Sequence, residues 1–149
     1  MATIAIIMGS VYGAAQEVAQ EIHSAITAVD LDVVFNTPAS IADLTNSDAV
    51  LVVTSTTGQG DLPSNLEPFY FAAREQMPLL NGKPFGVICL GDSSYQTFCG
   101  AGDKMEELLF ELQGKAPLAM LRIDACETLD PQSKAMPWFQ NWLTAIETE

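Results

Sequence analysis

The chain has 149 residues, with 19 Asp and Glu against 6 Lys and Arg, a formal net charge of −13, and 48% hydrophobic residues. That length fits one domain, residues 1–149, large enough for a two-sided sheet covered by helices. A chain this acidic is excluded from unaided nucleic-acid binding, which needs clustered Lys and Arg against phosphates. No apolar run approaches membrane-spanning length, and one histidine, His23, excludes a multi-histidine metal site. The start, Met1-Ala2-Thr3-Ile4, has no basic n-region, so no secretory leader is expected. Three cysteines without metal-type spacing argue for reduced thiols and a cytoplasmic setting.

Ile4-Ala5-Ile6-Ile7-Met8 reads as a short apolar strand. Gly9 to Ala15 is a strand-to-helix turn, because Val18, Ile22, Ile26 and Val29 then recur at helical spacing. The helix N-terminus opened by that turn offers free backbone N–H groups and the positive dipole end, an anion site. The turn carries Ser10, Tyr12 and two glycines, but it is neither a Walker A loop nor Gly-x-Gly-x-x-Gly. A plain βα turn is the alternative. His23 is expected on the solvent face of the helix.

Leu31-Asp32-Val33-Val34-Phe35 carries an internal charge, as an edge strand would. Ser40 to Leu44 reads as a short helix or turn. Ala49 to Thr54 is wholly apolar until its last residue, the pattern of a central strand. The loop Ser55-Thr56-Thr57-Gly58-Gln59-Gly60-Asp61-Leu62-Pro63-Ser64-Asn65 is long for its place, and its glycines allow close approach or positive φ. The next helix is expected to present Leu66, Phe69, Tyr70, Ala73 and Met77 on one face.

Phe85-Gly86-Val87-Ile88-Cys89-Leu90 has no polar side chain other than its thiol and reads as a fully buried parallel strand. Gly91-Asp92-Ser93-Ser94-Tyr95-Gln96-Thr97-Phe98-Cys99-Gly100 follows as a loop. Tyr95 and Phe98 at the carboxyl end of a buried strand either cover a flat ligand or fold back and plug the sheet end. A helix through Met105, Leu108, Leu109 and Leu112 is expected, with Asp103 as N-cap and Gly114 as stop. Leu118 to Asp124 is a fifth strand, placed at the other edge by Arg122 and Asp124. The last helix is expected to begin near Pro137, with Trp138, Trp142 and Ile146 on its core stripe.

Five alternations of strand and helix predict a parallel α/β sheet with helices on both faces. Edge positions for the second and fifth strands, with right-handed crossovers, give the order 2-1-3-4-5. The loops after strands 1, 3 and 4 then share one rim, at the switch point where such sheets bind ligands. They suit a ligand with a phosphate at one end and a flat ring at the other. No catalytic side-chain set is present there, so the chemistry would belong to a cofactor.

Two of these loops carry a specific resemblance. Thr54-Ser-Thr-Thr-Gly-Gln-Gly-Asp-Leu-Pro63 and Leu90-Gly-Asp-Ser-Ser-Tyr-Gln-Thr-Phe-Cys99 resemble the loops of short-chain flavodoxins, above all the MioC/YqcA kind, and of the FMN domains of diflavin reductases. The likeness runs the whole length, and no long insertion interrupts strand 5. It implies a flavodoxin-like doubly wound three-layer sandwich, a bound FMN, and one-electron shuttling as a carrier rather than an enzyme.

By motif position, Ser10, Val11, Tyr12, Gly13, Ala14 and Ala15 would wrap the phosphate. Thr56, Thr57, Gly58, Gln59 and Gly60 would line one side of the isoalloxazine, and Tyr95 would stack on the other. Leu90, Gly91, Asp92, Phe98 and Cys99 would shape the pocket. The peptide between Gly58 and Gln59 stands where the family turns a carbonyl toward the reduced ring nitrogen, a turn that glycine permits without a Cβ penalty. Surrounding negative charge would lower the potential of the anionic, fully reduced flavin.

The phosphate turn departs from the family: Tyr12, Ala14 and Ala15 stand where many members have threonines and an asparagine. Each lost charge-assisted hydrogen bond costs roughly 1.5–3 kcal/mol, so either Tyr12 and backbone N–H groups compensate or FMN binds loosely. Thr57 replaces an aromatic on the inner ring face. One-sided stacking and a narrower gap between the two one-electron potentials follow.

The implied partners are an NAD(P)H-dependent flavodoxin or ferredoxin reductase with a basic surface and an acceptor redox enzyme, met by a monomer. Asp61, Glu67, Asp92, Asp103, Asp124 and Glu127 would form an acidic docking rim. Alternatives are an FMN-dependent NAD(P)H:quinone-type oxidoreductase and a docking protein that has lost tight FMN binding. A receiver domain of the same topology is discounted, since Thr54-Ser55-Thr56 and Gly9-Ser10 replace its acidic residues. Cys99 is expected to be a small packing residue, with redox activity near the flavin as the alternative.

Overall fold

The computed structural model describes residues 3–10, 13–29, 31–36, 39–56, 61–91, 99–125 and 130–147. Strands β1 (Thr3–Gly9), β2 (Asp32–Phe35), β3 (Ala49–Ser55), β4 (Phe85–Gly91) and β5 (Leu121–Asp124) alternate with helices α1 (Ala14–Ala28), α2 (Ile41–Thr45), α3 (Glu67–Gln76), α4 (Gly100–Glu111) and α5 (Pro131–Glu147). All strand pairs are parallel, in the order β2-β1-β3-β4-β5. The topology expected from the charge-bearing edge strands is the one found.

Strand periodicity divides the core in two. Ile4, Ile6, Met8, Leu51, Val53, Ile88, Leu90 and Ile123 face α1 and α5, while Ile7, Val50, Val52, Phe85 and Val87 face α3 and α4. Successive strand side chains point to opposite faces, so a strand buried on both must be apolar throughout. β1, β3 and β4 meet that condition and are central.

Two close approaches fix the helices on this sheet. A Cβ on Gly86 would lie 2.7 Å from both Trp138 Cη2 and Trp142 Nε1, so only glycine admits the tryptophans. Their rings stack 6.4 Å apart at 10°, and Trp138 Nε1 donates to the Ala119 carbonyl at 3.1 Å. A Cβ on Gly9 would lie 2.8 Å from Leu66 Cβ, which brings the start of α3 hard against the end of β1.

Several boundaries differ from expectation. α5 starts at Pro131, and Pro137 lies inside it. Proline suits the first helical position, and Pro131 takes that role; Pro137 lacks the N–H that would donate to the Ser133 carbonyl, and its ring crowds that carbonyl. α4 starts at Gly100 with Cys99 as its left-handed N-cap, which leaves Asp103 in the first turn. β5 begins at Leu121 rather than Leu118. Met77 leaves the α3 face, since it adopts φ 50 at the C-cap and is exposed. His23 is half-buried, its ring 6.1 Å from Phe35.

The stop of α4 is a Schellman arrangement, with Gln113 N donating to Phe110 O at 3.0 Å and Gly114 N to Leu109 O at 2.9 Å. Its left-handed residue is Gln113 at φ 68, not Gly114. Gly114 is needed for space, because a Cβ there would sit 2.8 Å from Phe85. Gln113→Gly removes the left-handed penalty and is expected to raise stability by about 1 kcal/mol. Urea unfolding should show a higher midpoint with an unchanged slope; a lower midpoint would refute the assignment.

Candidate functional site

The carboxyl ends of the central strands finish level. Gly9 pairs with Thr54, Thr54 with Cys89, and Cys89 with Arg122, so one row crosses the sheet at the rim. β1 and β3 are neighbours, while their connections run to opposite faces of the sheet. The rim between them is therefore the switch-point crevice.

At this crevice Gly13 caps α1 with φ 93 and ψ −11. Its N–H donates to Ser10 Oγ at 2.9 Å, and the Ser10 N–H donates to Asn65 Oδ1 at 3.0 Å. Helix geometry leaves the N–H groups of Ala14, Ala15 and Gln16 without intrahelical acceptors, at the positive end of the dipole. Ala14 is exposed and Ala15 is buried against the sheet. Among the described residues nothing lies within 4 Å of where a Cβ on Gly13 would stand. At the end of β3 the Ser55 hydroxyl oxygen is shielded from solvent and has no hydrogen-bond partner among the described residues. The donors gathered here fit an anionic group of phosphate size.

The second and third loops meet where Thr56 N donates to Leu90 O at 3.0 Å. Thr56 Oγ1 lies 3.3 Å from Cys89 Sγ, and Cys99 Sγ donates to Cys89 O at 3.4 Å. Cys89 and Cys99 are both fully buried, so packing, as expected for Cys99, describes their setting. Of the expected site residues, Ser10, Gly13, Ala14 and Ala15 gather at α1, and Thr56, Leu90, Gly91 and Cys99 at the ends of β3 and β4. Val11, Tyr12, Thr57, Gly58, Gln59, Gly60, Asp92, Tyr95 and Phe98 lie outside the described residues.

Sequence reasoning missed Asn65. An asparagine just before a helix was the available signal, but its acceptor role toward Ser10 spans 55 positions. The acidic rim is less bare than expected. Asp103 pairs with Arg122, Asp61 lies 3.7 Å from Lys104 Nζ, and Asp124 is largely buried. Glu67 is exposed in the first turn of α3. Among the described residues no cluster of His, Cys, Asp and Glu is arranged to hold a metal ion, and no helix is long and apolar enough to cross a membrane.

Comparison with known proteins agrees with this geometry. The family model described as Flavodoxin matches residues 6–138. Protein PA3435 of Pseudomonas aeruginosa is 47% identical over 147 residues, spanning 97% of this chain and 98% of that one. Flavodoxin YqcA of Escherichia coli is 39% identical over 148 residues, spanning 98% and 99%. Among solved structures, a cysteine-to-alanine variant of a flavodoxin from Pseudomonas aeruginosa superposes with a TM-score of 0.91 at 46% identity, covering 97% of this chain and 99% of that one.

Proposed function

Because the chain belongs to the flavodoxin family, we propose that it binds FMN at the β1/β3 crevice and carries single electrons between an NAD(P)H-dependent reductase and an acceptor enzyme. The observation that carries this reading is the α1 N-terminus, whose first N–H groups have no intrahelical acceptor, set beside the level ends of β1, β3 and β4. FMN, when bound, supplies the one-electron chemistry; the chain supplies position and electrostatics.

The Ala14, Ala15 and Gln16 N–H groups meet the phosphate, with Ser10 bracing Gly13 in the geometry that exposes them. Hydroxyl donors are fewer here than in many family members, and the Ser55 hydroxyl is a further donor in reserve at the strand end. The hydrogen bond from Thr56 N–H to Leu90 holds the second and third loops in register at the ring end. Tyr95 is assigned the outer ring face by its motif position. The formal net charge of −13 steers the carrier toward basic partner surfaces, raising encounter rates by roughly 10–10³-fold at low salt.

Titration of the apo protein with FMN, followed by flavin fluorescence, tests the binding. Saturable one-to-one quenching is expected, and its absence at micromolar protein refutes the reading. Stepwise reductive titration of the loaded protein should give two one-electron potentials lying close together, as expected for stacking by Tyr95 alone. A wide gap would overturn the one-sided site.

A further inference from the structure

We infer that Asn65 is a positioning residue for the phosphate of FMN, acting through Ser10 on the turn that opens α1; this rests on the FMN reading above and adds to it a residue from the other connection. Asn65 stands just before α3, where an asparagine would ordinarily cap its own helix. It does not do so. The N-cap of α3 is Leu66, and no side chain caps that helix. Backbone groups satisfy its start instead. The Pro63 carbonyl accepts from the N–H of Leu66 at 2.9 Å and of Glu67 at 3.2 Å, and Pro68 has no N–H to satisfy. The Asn65 Oδ1 is left for Ser10, whose N–H donates to it at 3.0 Å.

Two further contacts carry that bond to the anion site. Ser10 Oγ accepts from the Gly13 N–H at 2.9 Å, and Gly13 is the left-handed N-cap residue of α1. The Gly13 carbonyl in turn accepts from the Glu17 N–H at 2.9 Å, closing the first turn of the helix. Asn65 therefore holds the residue that holds the cap, and the cap aims the N–H groups of Ala14, Ala15 and Gln16. Asn65 is itself well placed. Its neighbour Leu66 is fully buried, with its Cβ 2.8 Å from where a Cβ on Gly9 would stand, and Gly9 is the neighbour of Ser10. A tight packing contact thus lies beside the hydrogen bond, between the same two stretches of chain. Ala14 and Ala15 have no hydroxyl or amide to reach an anion, so the backbone N–H groups must be well aimed. Hydrogen bonds weaken steeply when misaligned, which makes the bracing of the turn count.

Riboflavin lacks the phosphate and makes no use of these N–H groups. Removing the Asn65 acceptor is therefore expected to weaken FMN about 3- to 10-fold, the scale of one hydrogen bond, and to leave riboflavin unchanged.

The test compares the wild type with Asn65→Ala and Asn65→Asp, substitutions at an exposed position. Fluorescence titration with FMN and with riboflavin is read on the wild type and Asn65→Ala. Amide hydrogen exchange of the apo protein, followed by NMR, is read on all three. In Asn65→Ala, FMN alone should weaken, and the amides of both Ser10 and Gly13 should exchange faster. Asn65→Asp keeps an oxygen within reach of the Ser10 N–H and should restore slow exchange at both. A merely structural role would weaken FMN and riboflavin together, and that result overturns the inference. So does unchanged FMN affinity in Asn65→Ala, faster exchange confined to Ser10, or fast exchange that Asn65→Asp does not slow. A wild type that binds no FMN refutes the FMN reading, and this inference with it; a wild type and Asn65→Ala that bind FMN alike refute the inference alone.

Discussion

Replacing Ala14 with Asp is expected to weaken FMN binding while making the apo protein more stable. Ala14 is the first residue of α1 and is exposed, so an aspartate fits there sterically. In the apo protein its carboxylate meets the positive end of the helix and adds about 0.3–1 kcal/mol. With a phosphate seated on the same N–H groups it faces like charge at close range. At about 5 Å and a near-surface dielectric, that repulsion outweighs the helix term and costs roughly 2–3 kcal/mol, a 30- to 150-fold loss of affinity. Fluorescence titration measures the loss, and urea unfolding of the apo form measures the gain. Riboflavin, which lacks the phosphate, is the control and should bind the variant as it binds the wild type. If FMN and riboflavin weaken equally, the phosphate is not at α1.

The largest stability effect is expected at Trp142. It is fully buried, it is stacked on Trp138, and it sits against Gly86 on the central strand β4. Truncation to alanine removes the largest buried side chain of α5 and opens a cavity against the sheet, for a loss of about 3–5 kcal/mol. With a urea slope of about 1–3 kcal/mol per molar, the midpoint falls by more than one molar. Trp142→Phe should cost far less than its size change suggests. The indole N–H of Trp142 is buried without a partner among the described residues, and removing an unsatisfied donor recovers about 1–3 kcal/mol. Equal losses in the two variants would show that the N–H is satisfied in solution.

How much of this could be read from the sequence depends on the range of the interaction. The sheet order was legible because three strands lack internal charges, whereas Asp32 and Arg122 lie within the second and fifth. The loops of the site were legible because they follow the ends of apolar runs. Helix starts were less so. Pro131 and Pro137 are both acceptable first-turn residues, and packing of Ala135 against the sheet decides for the earlier one. Gln113 in a left-handed stop went unseen, because Gly114 beside it is the residue that normally marks one. Contacts across space left no local trace. Neither the hydrogen bond from Ser10 to Asn65 nor that from Cys99 to the Cys89 carbonyl has a sequence signature of its own.

That bond from Ser10 N–H to Asn65 has an evolutionary corollary. It fastens the turn before α1, proposed above to hold the phosphate, to the connection between β3 and α3, across two separate connections of the chain. Drift in Pro63-Ser64-Asn65 is therefore inherited by the Gly9–Gly13 turn, and the two connections cannot specialise independently while the asparagine stays. Lineages that diversify one should be found to have rewritten both.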